Sequence, residues 1–194
     1  MGRIGYPEQP VIWQGDPRWG RRTVGLGQGT FGAVGCVVTS LAMALRFLGV
    51  RAGATPLQVQ AAGLLRGNVW APGQSGCVVP ALVSAQVDVS PGVDLAGPGR
   101  VADKGALREL ITETLSRRGV LLVAVDYDRS LPKGDPIADH WVCCYAVDGD
   151  DVLVADPATA QTERLLMSTL EGPVKWGKIT RRYSVARVVS VLVD

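Results

Sequence analysis

Cys36 is the residue of this sequence best placed to act as a nucleophile. It follows Gly35 directly and opens an apolar stretch that predicts a buried helix. The unpaired amides and the dipole at a helix N-terminus favour a thiolate, which is the reactive form of cysteine. Gly35 has no side chain and would let a backbone or a substrate approach closely. The alternative interpretation is a structural cysteine buried in an apolar helix.

A thiolate nucleophile needs an imidazole that acts as base and acid, and His140 is the only histidine of the chain. It begins an apolar strand, where a histidine can also be an ordinary surface residue. Asp156 ends the next predicted strand, just before Pro157. Its carboxylate could hold the imidazole in one tautomer, although an Asp-Pro pair is equally consistent with a simple turn.

Gln14 is the candidate for stabilising the negative charge that develops on a carbonyl oxygen under attack. It lies upstream of the cysteine, in a segment that begins with Trp13 and ends with Trp19-Gly20. A glutamine amide in this position could donate a hydrogen bond to the oxyanion. Glutamine has many other uses in proteins, so the residue type alone does not settle this role.

The turn between the two predicted strands decides whether His140 and Asp156 can meet. A plain two-residue turn at Gly149-Asp150 would pair Cys143 with Asp156. His140 and Asp156 would then lie on opposite faces, because side chains alternate along a strand. We therefore predict a loop of three or five residues, a bulge, or an Asp156 that has already left the strand.

The elements that position these residues fall into two halves. Apolar runs, caps and glycine stops predict helices over about residues 36–48, 56–66, 77–86 and 103–118. Apolar runs with β-forming residues predict strands over about residues 120–125, 141–147, 152–155 and 185–193. Residues 1–10 read as an extended lead-in, and the whole chain, 1–194, as one domain. Helices followed by an antiparallel sheet predict an α+β fold.

The order of these motifs resembles the papain-like cysteine peptidases, and more narrowly the branch related to the double-glycine-leader peptidases that process bacteriocins. The resemblance spans about residues 11 to 160. Its motifs in chain order are Gln14, Asp16-Pro17, Trp19, Gly35-Cys36, Thr39 to Met43, Leu48-Gly49, His140 and Asp156-Pro157. The segment between Gln14 and Cys36 departs from the family pattern, since it is long and rich in glycine.

This resemblance implies a papain-like α+β fold, in which a buried helix bearing the cysteine packs on an antiparallel sheet carrying the histidine and the aspartate. It implies Cys36 as nucleophile, His140 as general base and acid, Asp156 as the orienting acid and Gln14 as oxyanion donor. The implied activity is that of a bacterial or phage cysteine peptidase that acts on a peptide or protein without a metal or cofactor. No transporter segment is visible, so a role in leader-peptide export is not expected.

Two other functions stay open. One is a cell-wall amidase or endopeptidase that uses the same triad on peptidoglycan. The other is a non-enzymatic docking or virion module in which the site is vestigial.

Composition and charge exclude several classes of partner. The chain has 20 basic and 18 acidic residues, and its basic residues occur as isolated pairs, so neither a nucleic acid nor an anionic membrane is expected as a partner. The uncharged stretch 24–45 is interrupted by glycines and does not predict a membrane span. The first ten residues lack the apolar region of a signal peptide, and the four cysteines are irregularly spaced. We expect a protein that is cytoplasmic, or released or assembled without a signal peptide.

Three local motifs favour other ligands, each incompletely. The glycine-rich segment 27–34 matches the phosphate loop of protein kinases, but the chain lacks the other kinase motifs. His140, Cys143 and Cys144 could suggest zinc, but adjacent residues of a strand point to opposite faces. Residues 126–137 begin like a calcium loop but lack its glycine and its final glutamate.

Overall fold

The computed structural model describes residues 2–95, 103–126 and 140–194, and within them eight strands form one antiparallel sheet. In chain order they are β1 (Ile4–Gly5), β2 (Val89–Leu95), β3 (Val120–Asp126), β4 (His140–Asp148), β5 (Asp151–Asp156), β6 (Gln161–Leu166), β7 (Glu171–Trp176) and β8 (Ile179–Val193). Six of them pair in the order β4, β3, β8, β7, β6, β5, and β5 pairs back to β4, which closes a barrel. β1 adds to β4, and β2 adds to β8.

The helices of the described residues are few and short, and all of them precede the six barrel strands in the sequence. They are α1 (Phe31–Val34), α2 (Cys36–Phe47), α3 (Pro56–Arg66), α4 (Val79–Ser84) and α5 (Lys104–Ser116). The bounds of α2, α3 and α5 confirm the sequence prediction to within two residues, whereas α4 is shorter than predicted. As the sequence indicates, Thr55 caps α3, and Asp103 caps α5 by accepting from the amides of Gly105 and Ala106.

The predicted papain-like α+β fold is wrong, because the sheet closes into a six-stranded barrel and dominates the structure. The sequence pattern misses β6 and β7, which supply the closing strands. Their residues mix charged and apolar types, and β7 contains Gly172 and Pro173, which argue against a strand. β8 is also longer than predicted, since its first residues include the charged pair Arg181-Arg182 and still pair with β7.

Two hydrophobic clusters lie on the opposite faces of the sheet. Leu122 and Cys143 belong to the cluster that contains α2, while Leu121 and Cys144 belong to the one that contains α5. Ten of the 12 residues of α2 are buried, so this helix is fixed against the sheet by apolar packing. The Oγ of Ser40 in α2 also donates a hydrogen bond of 3.0 Å to the carbonyl oxygen of Trp141 in β4. This bond holds the helix that begins with Cys36 next to the start of β4.

A bulge in β4 sets the face that His140 presents. Beyond the turn at residues 148–151, the pairs are Asp148 with Asp151, Val147 with Val152 and Ala146 with Leu153. Tyr145 then drops out of the pairing, so that Cys143 lies opposite Ala155 and not opposite Asp156. This shift by one residue brings His140 and Asp156 to the same face. The prediction of an irregular hairpin is confirmed, and the irregularity is a bulge at Tyr145.

The side chain of the bulged residue is anchored on α2. The ring of Tyr145 stacks on that of Phe47, with centroids 4.4 Å apart and planes 5° from parallel. Its hydroxyl lies 3.1 Å from the hydroxyl oxygen of Thr162 in β6. The helix that begins with Cys36 therefore packs, through its last residue, on the bulge that orients His140.

One further property of the helices bears on location. Across residues 2–95, 103–126 and 140–194, no helix combines the length and the apolar character that crossing a membrane requires.

Two adjacent hydroxyls of α2 give a matched stability test. Ser40 and Thr39 are both fully buried. The Oγ of Ser40 bonds the Trp141 carbonyl, whereas the Oγ1 of Thr39 has no partner among the described residues. Ser40→Ala should lower the free energy of unfolding by about 1–3 kcal/mol, because it breaks a buried hydrogen bond. Thr39→Val should lower the free energy of unfolding by less than about 0.5 kcal/mol, or raise it, because the change replaces an unpaired buried hydroxyl with a methyl group of similar size.

Urea unfolding of both variants under identical conditions measures the two free energies. Equal losses for the two variants, or a larger loss for Thr39→Val, would contradict the role assigned to the Ser40 bond.

Candidate active site

An open cleft of about 560 Å³ brings most of the predicted site residues together. Its walls include Gln14, Cys36 and His140, together with Cys77, Trp176 and Arg187. Asp156 lies behind His140 and is fully buried. All four predicted residues thus converge on one place, although they come from a loop, a helix and two strands.

Cys36 occupies the first position of α2, partly exposed to the cleft. The residue before it, Gly35, provides no side-chain cap, so the first amides of the helix keep their hydrogen-bonding capacity. A Cβ atom on Gly35 would lie 2.6 Å from the carbonyl oxygen of Phe31. The glycine is therefore required by the close approach of Phe31 in the preceding turn.

His140 links the cysteine to the aspartate. Its Nε2 donates a hydrogen bond of 2.7 Å to the Oδ1 of Asp156, and both side chains are buried. The sulfur of Cys36 lies on the wall of the same cleft, close enough to the ring to raise the pKa of His140. The prediction that His140 and Asp156 lie within hydrogen-bonding distance is confirmed.

The carboxylate of Asp156 is held by three donors. Oδ1 accepts from His140 and from the backbone amide of Ala158 at 2.8 Å, and Oδ2 accepts from the hydroxyl of Tyr183 at 2.6 Å. Burial alone would raise the pKa of Asp156, but the hydrogen bonds and the positive charge of His140 outweigh it and lower the pKa. Asp156 is therefore a buried carboxylate that stays ionised.

Tyr183 is a site residue that the sequence pattern misses, and it is bound by Trp176 of the cleft wall. The Nε1 of Trp176 donates a hydrogen bond of 2.7 Å to the hydroxyl oxygen of Tyr183. The indole ring also packs edge-on against the imidazole of His140, with centroids 5.5 Å apart. Burial and the negative charge of Asp156 raise the pKa of Tyr183, which keeps its hydroxyl a donor. Both residues reach the site because β7 and β8 close the barrel, and no local signal points to Tyr183.

The electrostatics of the cleft favour a protonated imidazole beside the sulfur. Burial by itself lowers the pKa of His140, but its hydrogen bonds to Asp156 and Cys36 and the charges of both groups raise the value to about 9. Burial raises the pKa of Cys77 and that of Cys144 to about 12, and that of Cys143 well above its usual range. These three thiols are therefore poor nucleophiles at neutral pH.

Gln14 lies in the wall of the same cleft, nearly buried. Its Nε2 donates one hydrogen bond of 3.0 Å to the carbonyl oxygen of Gly32, and its backbone amide donates one of 2.8 Å to that of Pro157. The second hydrogen on Nε2 has no partner among the described residues, nor has Oε1. These contacts tie Gln14 to α1, just before Cys36, and to the segment that follows Asp156. Its role as an oxyanion donor stays a prediction.

The alternative ligand motifs find no support in the described residues. No three His, Cys, Asp or Glu side chains in this part of the chain form a group that could hold a metal ion. Cys143 and Cys144 lie in different hydrophobic clusters. In the glycine-rich segment, the amide of Gly29 donates to the Oγ of Ser75, so this amide is not free for a phosphate. The calcium-like segment 126–137 lies outside the described residues, apart from Asp126.

No protein-family model matches the chain, and no curated protein matches it either. The resemblance of the motif order to cysteine peptidases therefore stays a prediction, as do the activity and the partners that it implies. The geometry of the cleft is what supports a function.

The single histidine gives a direct test of this geometry. Because His140 is the only histidine, its Cε1–H resonance in an NMR spectrum needs no assignment. We expect this resonance to titrate with a midpoint near pH 9, against about 6.5 for an ordinary histidine. Asp156→Asn and Cys36→Ala should each lower the midpoint, because each removes a group that stabilises the imidazolium.

Cys77→Ala is the control for this titration, since Cys77 lines the cleft but is not among the groups that raise the pKa of His140, and its midpoint should equal that of the parent. A parent midpoint near 6.5, or one that none of the variants moves, would contradict the interaction of His140 with Cys36 and Asp156.

Proposed function

We propose that the protein is a cysteine peptidase that hydrolyses an amide bond in a peptide or protein. The observation that carries this proposal is that the partly exposed Cys36 shares the wall of an open cleft with His140, which is hydrogen-bonded to the buried carboxylate of Asp156. A partly exposed thiol beside an imidazole that a buried carboxylate orients is the arrangement that nucleophilic catalysis by cysteine needs.

Catalysis begins with attack of the Cys36 thiolate on the carbonyl carbon. The C–S bond forms, and the π electrons of the carbonyl move to its oxygen. The backbone amide of Cys36 and the second Nε2 hydrogen of Gln14 are the donors for this oxyanion. The His140 imidazolium then gives its proton to the leaving nitrogen, the C–N bond breaks, and a thioester remains on Cys36.

Hydrolysis of the thioester completes the cycle. Neutral His140 takes a proton from a water molecule, and the resulting hydroxide attacks the thioester carbon. The C–S bond breaks, the carboxylic acid leaves, and the thiolate and imidazolium are restored. Throughout, Asp156 keeps Nε2 as a donor and stabilises the positive charge on the ring.

The cleft has room for a substrate of several residues. Its volume of about 560 Å³ lies in the range of small-molecule and peptide sites. Trp13 and Val34 contribute to the cleft wall, and both remain more than 40% exposed. Apolar side chains of this kind would pack against an extended peptide.

Paired cysteine variants test the activity. The protein is incubated with denatured casein and, separately, with purified peptidoglycan, and new amino termini are measured. Cys36→Ala should lower the rate by about 10⁴-fold or more, as loss of a nucleophile does. Cys77→Ala, which removes a neighbouring cleft thiol, should stay within about threefold of the parent, less than 1 kcal/mol in barrier.

Circular dichroism confirms that each variant is folded before its rate is compared. Release of amino termini that survives in Cys36→Ala would refute Cys36 as nucleophile. A parent protein inert on both substrates would speak for a vestigial site.

Gln14→Ala tests the oxyanion donor. We expect kcat to fall by about 10²–10³-fold with KM little altered, because the donor acts where charge develops in the transition state. Gln60→Ala is the matched control. Gln60 also bonds backbone groups of the glycine-rich stretch between Gln14 and Cys36, at Gly25 and Thr23, but it is not part of the cleft wall.

Single-turnover acylation of the folded fraction is the measurement for both glutamine variants. If the acylation rate of Gln14→Ala lies within about threefold of the parent, Gln14 is structural and the oxyanion donor lies elsewhere.

A further inference from the structure

Arg187 is a feature of the cleft that the mechanism above does not use. It lies on β8, and its side chain forms part of the same wall as Cys36 and His140. Among the described residues that form this wall, it is the only one with a permanent charge. Its side chain is only 13% exposed, so the guanidinium is largely shielded from bulk solvent although it lines the cleft.

The guanidinium is held in a fixed orientation. Nε and Nη2 donate to the two carboxylate oxygens of Asp94 in β2, at 2.8 and 2.6 Å. The guanidinium carbon also lies 5.5 Å from the ring centre of Trp141. With two nitrogens bound to Asp94, Nη1 has no hydrogen-bond partner among the described residues. A planar group fixed in this way presents its remaining N–H donors in one direction.

A purely structural role does not account for this placement. β2 and β8 already pair at five positions, so the strands need no further tie at the cleft. Arg182 on the same strand belongs to an ion pair that only links two strands at the surface. It pairs with Glu171, is 60% exposed and is not part of the cleft wall.

Arg187 also lies close to the reacting group. Burial raises the pKa of Cys77 to about 12, with a further increase from Cys36 and a decrease from Arg187. Cys77 is therefore within electrostatic reach of both residues, and all three share one cleft.

We propose that Arg187 selects substrates that carry a carboxylate beside the bond to be cleaved. This inference rests on the proposed function, since it names the substrate class of the same cleft. The free N–H donors of Nη1 are suited to an anionic oxygen, and the low exposure of the side chain strengthens such a hydrogen bond. The carboxylate is either an acidic side chain next to the cleaved bond or the α-carboxylate at the end of the substrate chain.

Alkylation of Cys36 tests the selection without requiring peptide hydrolysis. The probes are N-iodoacetyl-glycine and N-iodoacetyl-β-alanine, each compared with its neutral primary amide. We expect the ratio of acid to amide rates for at least one probe pair to fall by about fivefold or more in Arg187→Gln. The ratio should be unchanged in Arg182→Gln, which removes a charge from the same strand outside the cleft.

Loss of Arg187 leaves Asp94 without its partner, so a second variant guards against misfolding. Arg187→Gln with Asp94→Asn removes both charges and should show the same fall in the ratio. Ratios that match the parent in both variants would overturn the selection, even if Cys36 reacts rapidly. A slow Cys36 that alkylates no faster than Cys77 would instead refute the proposed function.

Quenched fluorescent peptides distinguish the two sources of the carboxylate. One set compares Glu with Gln on either side of the cleaved bond, and the other compares a free C-terminal acid with its amide. A preference of about fivefold or more for the acid in one set, absent in Arg187→Gln, identifies the source. Equal cleavage of acid and amide in both sets by the parent would overturn the inference.

Discussion

The buried charge of Asp156 is the constraint on which the rest of the site depends. Burying a carboxylate away from water destabilises the folded state by an amount on the order of several kcal/mol, unless hydrogen-bond donors replace the lost hydration. Here the donors come from His140 at the start of β4, from the turn after β5, and from Tyr183 on β8. His140 and the Ala158 amide meet the carboxylate within the β4–β5 hairpin and its following turn, whereas Tyr183 reaches it only when the barrel is closed. Closure of the sheet therefore completes the set of donors that stabilises Asp156.

The same constraint explains the irregular hairpin. A regular ladder would place His140 on the face opposite Asp156 and leave the carboxylate without its charged partner. The bulge at Tyr145 brings His140 to the same face as Asp156, and the stacking of Tyr145 on Phe47 packs the bulge against α2. α2 also begins with Cys36 and is hydrogen-bonded to β4 through Ser40. One helix therefore fixes the positions of both Cys36 and the strand that carries His140. The three residues of the triad are positioned by a short set of mutually dependent contacts.

The sequence allowed the local parts of this arrangement to be predicted, because their causes are local. The apolar run after Cys36, the cap at Thr55 and the turn at Gly149 indicate elements that the structure contains. The alternation of side chains was enough to require a bulge or its equivalent. Tyr183 and Arg187 were not predictable, because they reach the site through strands that pair far apart in sequence. The papain-like fold class failed for the same reason, since the charged strands β6 and β7 close the barrel without a clear apolar signature.

Acid-quench mass spectrometry tests the central claim, that Cys36 is the nucleophile of an amide hydrolase, most directly. The protein is mixed with an excess of a peptide p-nitrophenyl ester, quenched in acid during the first turnover and digested at low pH. The account predicts a burst of about one p-nitrophenolate per folded molecule, with the acyl mass attached to the fragment that contains Cys36. Turnover without an acyl adduct, or an adduct on another residue, would contradict it.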